Sequence, residues 1–215
     1  MKIRLFALFV GATLASPLAS IAHAETVGGF KVYNNSVSVG VAPNLNLSPI
    51  QRRGLREFRR ARSYFGALYV STDGTSYQHF INWHDLDGAK FAARNGCEIV
   101  SEGVPCVLAA VSVPKGVDPN GSSTKALSSS AQGDLKRYRS RQVQGRYGAF
   151  AVSNSAHQGY SHNWVSEAEA RGAAKAFCDS AVARDLTTLG NEGRAIARKR
   201  GFTTCRVIAT TGPDH

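Results

Sequence analysis

Two stretches of the chain repeat the same alternation of apolar and polar positions. The run "GALYVS" starts at Gly66 and the run "GAFAVS" starts at Gly148. Short alternating or apolar runs of this kind are typical of β-strands. A polar segment rich in Gly, Ser and Asn follows each run and favours a hairpin, and a second short strand then ends in tryptophan. The pattern therefore predicts one β-hairpin in each stretch.

Beyond each tryptophan the apolar residues recur every three or four positions, which indicates a helix. In the second stretch Ser166 is a suitable N-cap, and acidic residues occupy the first helical turn. In the first stretch Asp85 or Asp87 has the capping role. The runs "CVLAAVSV" and "CRVIATT" then predict a closing strand. Each stretch is therefore a predicted β-β-α-β unit.

The two units align with each other along most of their length. The Asn-Trp pair at 82–83 falls on the pair at 163–164, and 14 positions separate tryptophan from cysteine in both. Because the chain contains only two tryptophans and four cysteines, this agreement indicates a duplication. We therefore predict an α+β fold of two related β-β-α-β units. Each would have a small antiparallel sheet and one helix, and the two would pack as one pseudo-symmetric domain.

The first residues have the pattern of a secretory signal peptide. Lys2 and Arg4 form a basic start, "LFALFVGATLA" is a short apolar core, and "AHA" at 22–24 fits a cleavage site. A membrane anchor is the alternative, but the apolar run is short for a span of about 20 residues. We expect cleavage before Glu25 and a soluble periplasmic or extracellular protein with no later transmembrane segment.

The cysteine count adds disulfides to this picture. An even number of cysteines in an exported chain favours bridges, and four cysteines allow three pairings. Each unit places one cysteine at the helix end and one at the start of the last strand, which favours pairing within each unit. Pairing across units or a metal site are the alternatives, although the spacing lacks the close pairs of a zinc ribbon. The expected bridges are Cys97–Cys106 and Cys178–Cys205.

The second unit resembles a known family. Its residues "YGAFAVS…GYSHNWVSEAEARGAAKAFC…CRVIAT" are similar to the family catalogued as domain of unknown function (DUF) 4189. The similarity covers Tyr147–Thr210, with a looser match over Tyr64–Val113. It implies a small exported bacterial domain and supplies no catalytic residues. Asp179–Thr204 departs from the family pattern because it is longer than the usual loop between the cysteines, and it holds a helix-like run, "EGRAIARKRGF".

The remaining segments flank or join the units. We divide the chain into the signal peptide (1–24), an N-terminal extension (25–63), the first unit (64–116), a linker (117–145) and the second unit (146–215). The extension begins with an alternating run compatible with an added edge strand. The linker is rich in Gly and Ser, which predicts flexibility, and then becomes basic.

Basic residues concentrate in two places. Removal of the signal peptide lowers the formal net charge from +11 to +9, which favours anionic partners. "SPIQRRGLREFRRARS" predicts a helix that starts at Ser48 and has a narrow apolar stripe. A solvated helix docked on the first unit is the alternative to a binding surface. The candidate residues for binding an anionic partner are Arg52, Arg53, Arg56, Arg59, Arg60, Arg62, Lys136, Arg137, Arg139, Arg141 and Arg146.

No residue set predicts a reaction, and we expect no cofactor and no metal. The sequence lacks an H-E-x-x-H pair, a G-x-S-x-G elbow and a phosphate loop. His79, Trp83, His162 and Trp164 form a candidate groove, with ordinary strand positions as the alternative. The leading hypothesis is an exported binding protein whose partner is an unknown protein or an anionic envelope component such as phospholipid headgroups, lipopolysaccharide or acidic glycans. Nucleic acid is a weaker candidate. The alternatives are an inhibitor or immunity-type protein for a secreted enzyme, and an enzyme with a cleft between the units.

Overall fold

The computed structural model describes residues 25–33, 36–120 and 125–212. The predicted signal peptide at 1–24 lies outside these residues. The strands in chain order are β1 Glu25–Val27, β2 Phe30–Val32, β3 Val37–Val41, β4 Gly66–Ser71, β5 Tyr77–Phe80, β6 Cys106–Pro114, β7 Tyr147–Ser153, β8 Gln158–Trp164 and β9 Cys205–Thr211. The helices are α1 Pro49–Ala61, α2 Leu86–Val100, α3 Ser129–Arg141, α4 Glu167–Thr188 and α5 Asn191–Lys199.

The first unit has three layers. Its antiparallel sheet has the strand order β3-β6-β4-β5, so the N-terminal segment supplies the edge strand. Alternate residues of β4 face opposite layers: Leu68 packs with Phe58 of α1, and Ala67 packs with Trp83 and the inner face of α2. This alternation follows from the two-residue period of a strand. Both faces of the sheet are therefore covered.

The second unit repeats this arrangement. Its antiparallel sheet has the order β8-β7-β9. Phe150 of β7 packs with Tyr138 of α3 on one face, and Ala151 packs with Ala174 of α4 on the other. The hairpin β1-β2 crosses to this unit, where Phe30 joins the α3 layer. Because the next strand, β3, pairs in the first unit, the N-terminal segment ties the units together.

Two sheet irregularities support the predicted duplication. Beyond the β4–β5 ladder, Phe65 pairs with Trp83 through two backbone hydrogen bonds, so one extra residue lies on the β5 side near Asn82, which has a φ of 66°. The β7–β8 pairing likewise gains one residue near Asn163, which has a φ of 64°. The register between β4 and β6 also shifts near the middle of the strand, and the register between β7 and β9 shifts at the matching place. Bulges recur at matching positions because the two sheets have the same construction. The α+β class with two related units is confirmed.

The repeated unit is larger than the sequence predicted. Helix α3 occupies most of the second half of the predicted linker, and it packs on its sheet as α1 packs on the first. When the N-caps Ser48 and Ser128 are aligned, Leu55 falls on Leu135 and the buried Phe58 falls on the buried Tyr138. The repeated unit is therefore α-β-β-α-β, and the second copy has α5 as an additional helix between α4 and β9. The low overall sequence identity of α1 and α3 hid this equivalence.

Both expected disulfides are present. Cys97–Cys106 and Cys178–Cys205 have S–S distances of 2.03 and 1.99 Å. Helix α4 continues for ten residues beyond Cys178, and α5 then returns the chain to β9. The long segment between the second pair of cysteines is thus a helical hairpin, and it is compatible with pairing inside the unit.

Candidate functional site

The orientation of α1 is fixed by one buried face. The side-chain amide of Gln51 donates to the carbonyl oxygens of Ser71 (2.8 Å) and Ser76 (3.1 Å). Gly54 lies against the ring of Tyr77, where an added Cβ would come within 2.4 Å of a ring carbon. Together with Phe58, these residues hold the helix against the sheet, so the opposite face is presented to solvent.

The solvent face of α1 is almost entirely arginine. At 100° per residue, its arginines fall within a sector of about 120°. All are exposed. Arg53 forms an ion pair with Glu57 (N···O 3.7 Å), and this is the one ion pair of the helix among the described residues. The arginines of the sector, here called the α1 arginine face, are Arg52, Arg53, Arg56, Arg59 and Arg60.

The basic residues near α3 have a different setting. They are exposed, but Arg137 pairs with Asp134 (2.8 Å) and Arg139 pairs with Glu25. The hydrogen bond from Arg139 lowers the pKa of the Glu25 carboxyl below its usual value. Lys136 and Arg139 align with Arg56 and Arg59 of α1. The eleven predicted residues thus lie on two different units, and the α3 group is partly neutralised by its own carboxylates. The remaining predicted residues, Arg62, Lys136, Arg141 and Arg146, are all exposed.

The four residues of the candidate groove are not brought together. His79 lies on the α1 side of its sheet, 6.0 Å from the ring of Phe58, and burial there lowers the pKa of its imidazole. Trp83 lies on the α2 side and is 7% exposed. His162 stacks on Tyr160, while Trp164 is 38% exposed. Trp83 is therefore a packing residue.

A cleft of about 260 Å³ separates α2 from the helical hairpin of the second unit. Trp83 contributes to its wall, and Phe202 meets the Trp83 ring edge-on at 4.9 Å. The sequence signal for this cleft was the unusual length of Asp179–Thr204. Its lining also includes Phe80, Phe91, Ala92, Asn95, Ile99, Val182, Leu186, Leu189 and Ile196.

One chain of hydrogen bonds borders the cleft. The Nε2 atom of His157 lies 2.7 Å from Asp185, and its Nδ1 atom lies 3.2 Å from the Ser155 hydroxyl. This arrangement does not suit a serine nucleophile, which must be accessible to a substrate while its acidic partner is buried. Here Ser155 is 3% exposed and donates its hydroxyl proton to the Phe202 carbonyl oxygen (3.0 Å), whereas the side chain of Asp185 is 62% exposed. The chain instead anchors the segment before β9 to the β7–β8 turn.

His84 joins the two units at a point that the sequence did not indicate. Its backbone N–H donates to Ser155, its Nδ1 accepts from Ser128, and its Nε2 lies 3.3 Å from the His157 carbonyl oxygen. Complete burial lowers the pKa of His84 to about 4. A neutral ring that accepts at Nδ1 and donates from Nε2 satisfies both contacts.

Within the parts of the chain that the structure describes, no group of three or more His, Cys, Asp or Glu residues could hold a metal ion. No helix among the described residues is long and apolar enough to cross a membrane. Comparisons with protein-family models, with curated proteins and with solved structures found no match to this chain. Membership of the DUF4189 family stays a prediction.

Proposed function

We propose that the protein is an exported, non-catalytic binding protein that holds an anionic component of the cell envelope on the α1 arginine face. The observation that carries this proposal is the one-sided clustering of exposed arginines, for which the described part of the chain supplies a single carboxylate partner. A helix whose only role is to cover a core needs no more than its buried face. On its exposed face, a mixture of acidic and basic side chains would be enough to keep it soluble. Clustered charge of one sign instead favours a partner of the opposite sign.

The disulfides support the exported part of the proposal, because such bridges persist in oxidising compartments. The affinity would come from charge, since α1 buries its apolar stripe against the sheet, and the single exposed side chain of Ile50 is too little apolar surface for insertion. Each basic residue at an anionic membrane surface contributes about 1 kcal/mol, and salt screens this attraction.

The test compares two variants that lose the same charge. In one, Arg52, Arg56, Arg59 and Arg60 are replaced by glutamine; in the other, Lys136, Arg137, Arg139 and Arg141 are replaced by glutamine. Binding of the mature chain to vesicles containing phosphatidylglycerol is measured by sedimentation at low and physiological salt, with phosphatidylcholine vesicles as the control surface.

We expect the α1 variant to lose at least tenfold in affinity and the α3 variant to lose less than threefold. Equal losses would show that net charge alone drives binding, which contradicts a localised face. Absence of wild-type binding to the anionic vesicles would also refute the proposal.

A further inference from the structure

The cleft between the units is built like a ligand site. Its walls come from α2 and β5 on one side and from the α4–α5 hairpin and Phe202 on the other. Aromatic rings form much of the wall, and Trp83 stands at right angles to Phe202. An apolar cavity of about 150 Å³ already accepts a single aromatic ring. The cleft here measures about 260 Å³, so it has room for a larger apolar molecule.

The charges of the lining restrict the ligand. Asp185 has the one carboxylate of the described lining, and one of its oxygens lies 2.7 Å from Nε2 of His157, while the side chain is 62% exposed. The other polar side chains of the described lining, such as Asn95 and Thr188, are uncharged. The guanidinium of Arg200 stacks on Phe91 at 3.9 Å and does not line the cleft. An anionic ligand group would therefore be buried without a cationic partner, which is unfavourable.

We propose that this cleft binds a small uncharged apolar molecule, such as a fused aromatic compound or the chain of a long alcohol. Apolar walls with a few polar groups at one side are the usual composition of small-molecule sites. The proposal does not depend on the α1 arginine face, because none of those arginines lines the cleft. The extra chain between Cys178 and Cys205 would thus serve to form one wall of the site.

The internal repeat offers a matched pair of variants. Ala92 lies on α2 and lines the cleft, and the equivalent residue of α4 is Ala173, which does not. Both alanines are half-buried helical residues. Leucine is a good helix former, so Ala92→Leu fills part of the cleft while Ala173→Leu makes the same change outside it. Ile99→Phe, at a position that is 43% exposed, is a second blocking variant with little effect on folding.

The experiment titrates the neutral fluorescent probe N-phenyl-1-naphthylamine into the mature chain. We expect saturable binding at one site, displacement by 1-decanol, and at least tenfold weaker displacement by decanoate, whose carboxylate finds no cationic partner in the described lining. Ala92→Leu and Ile99→Phe should each weaken probe binding at least fivefold, and Ala173→Leu should not change it. In a Trp164→Phe variant, Trp83 is the only tryptophan, and its emission should change as the probe binds.

Three results would overturn the proposal: no saturable binding to the wild type, equal displacement by decanoate and 1-decanol, or equal effects of the leucine substitutions at positions 92 and 173. The variant with four α1 arginines replaced should bind the probe like the wild type. Loss of vesicle binding with probe binding retained would therefore separate this site from the proposed function.

Discussion

Acidification from about pH 6.5 to about pH 4 should destabilise the folded protein, because the buried ring of His84 resists protonation. The ring is completely buried at the junction of the two units and lies edge-on to Phe30 at 5.7 Å. Its Nδ1 atom accepts a hydrogen bond from the Ser128 N–H (3.1 Å), and a proton on Nδ1 would remove that bond. The folded state therefore resists protonation that the unfolded chain accepts.

The magnitude follows from the pKa of His84, which falls from 6.5 to about 4 on folding. Above pH 6.5 the ring is neutral in both states, and its contribution to stability is fully present. As the pH falls, the unfolded chain takes up the proton first, and the contribution is lost by about pH 4. Each pH unit between these values costs about 1.4 kcal/mol, so the loss is about 3 kcal/mol.

The assay is urea unfolding from pH 7.5 to pH 4, followed by tryptophan fluorescence, for the wild type and for His84→Asn. Asparagine keeps an acceptor for the Ser128 N–H and does not titrate. The variant should be less stable at pH 7.5, because it loses the donor to His157, but its stability should fall about 3 kcal/mol less on acidification. Other groups, such as His79 and Asp85, titrate in both proteins and cancel in the difference. Equal losses of stability in the two proteins would refute the reasoning.

Three further predictions concern stability, each measured by chemical unfolding. Gly159→Ala should lower the free energy of unfolding by about 2–3 kcal/mol, because the added Cβ would lie 2.3 Å from the backbone nitrogen of Cys178. Gly172→Ala is the control, and it should be neutral or stabilising because nothing lies within 4 Å of its added Cβ. Similar losses of stability in the two variants would contradict this explanation. Replacing both cysteines of Cys97–Cys106 by serine should cost about 2.7 kcal/mol. The same change at Cys178–Cys205 should cost about 3.6 kcal/mol, because it opens a longer loop (sequence separations 9 and 27); the reverse order would contradict the loop-entropy explanation.

Local sequence patterns determined much of the fold. Alternation predicted the hairpins, and the predicted caps Ser48 and Ser166 begin α1 and α4. For α2, the predicted choice between Asp85 and Asp87 resolves to Asp85. The disulfide pairing followed from the same helix–strand order in both units. These features could be predicted because strand period, helix capping and turn chemistry depend on residues that are neighbours in the chain.

Contacts between distant segments decided the rest. One such contact joins the second strand of each unit to the helix that follows it. In the first unit the larger residue is on the strand, where Gln78 of β5 faces Gly96 of α2. In the second unit the small residue is on the strand, where Gly159 faces Phe177 and Cys178. The alignment of the two units does not reveal either contact, because a sequence does not specify which helix residue will pack against which strand residue.

The sequence by itself determined the duplicated strand–helix pattern, the disulfides and the presence of an arginine-rich helix. Only the tertiary structure decided that α3 belongs to the repeat, that His84 joins the units, and that Trp83 is covered by Phe202 while Trp164 is exposed. The physical reason is that burial depends on what packs against a residue. Two equivalent tryptophans can differ in burial because Phe202, which follows the helical hairpin of the second unit, packs against Trp83 and Phe91, a contact that neither local pattern records.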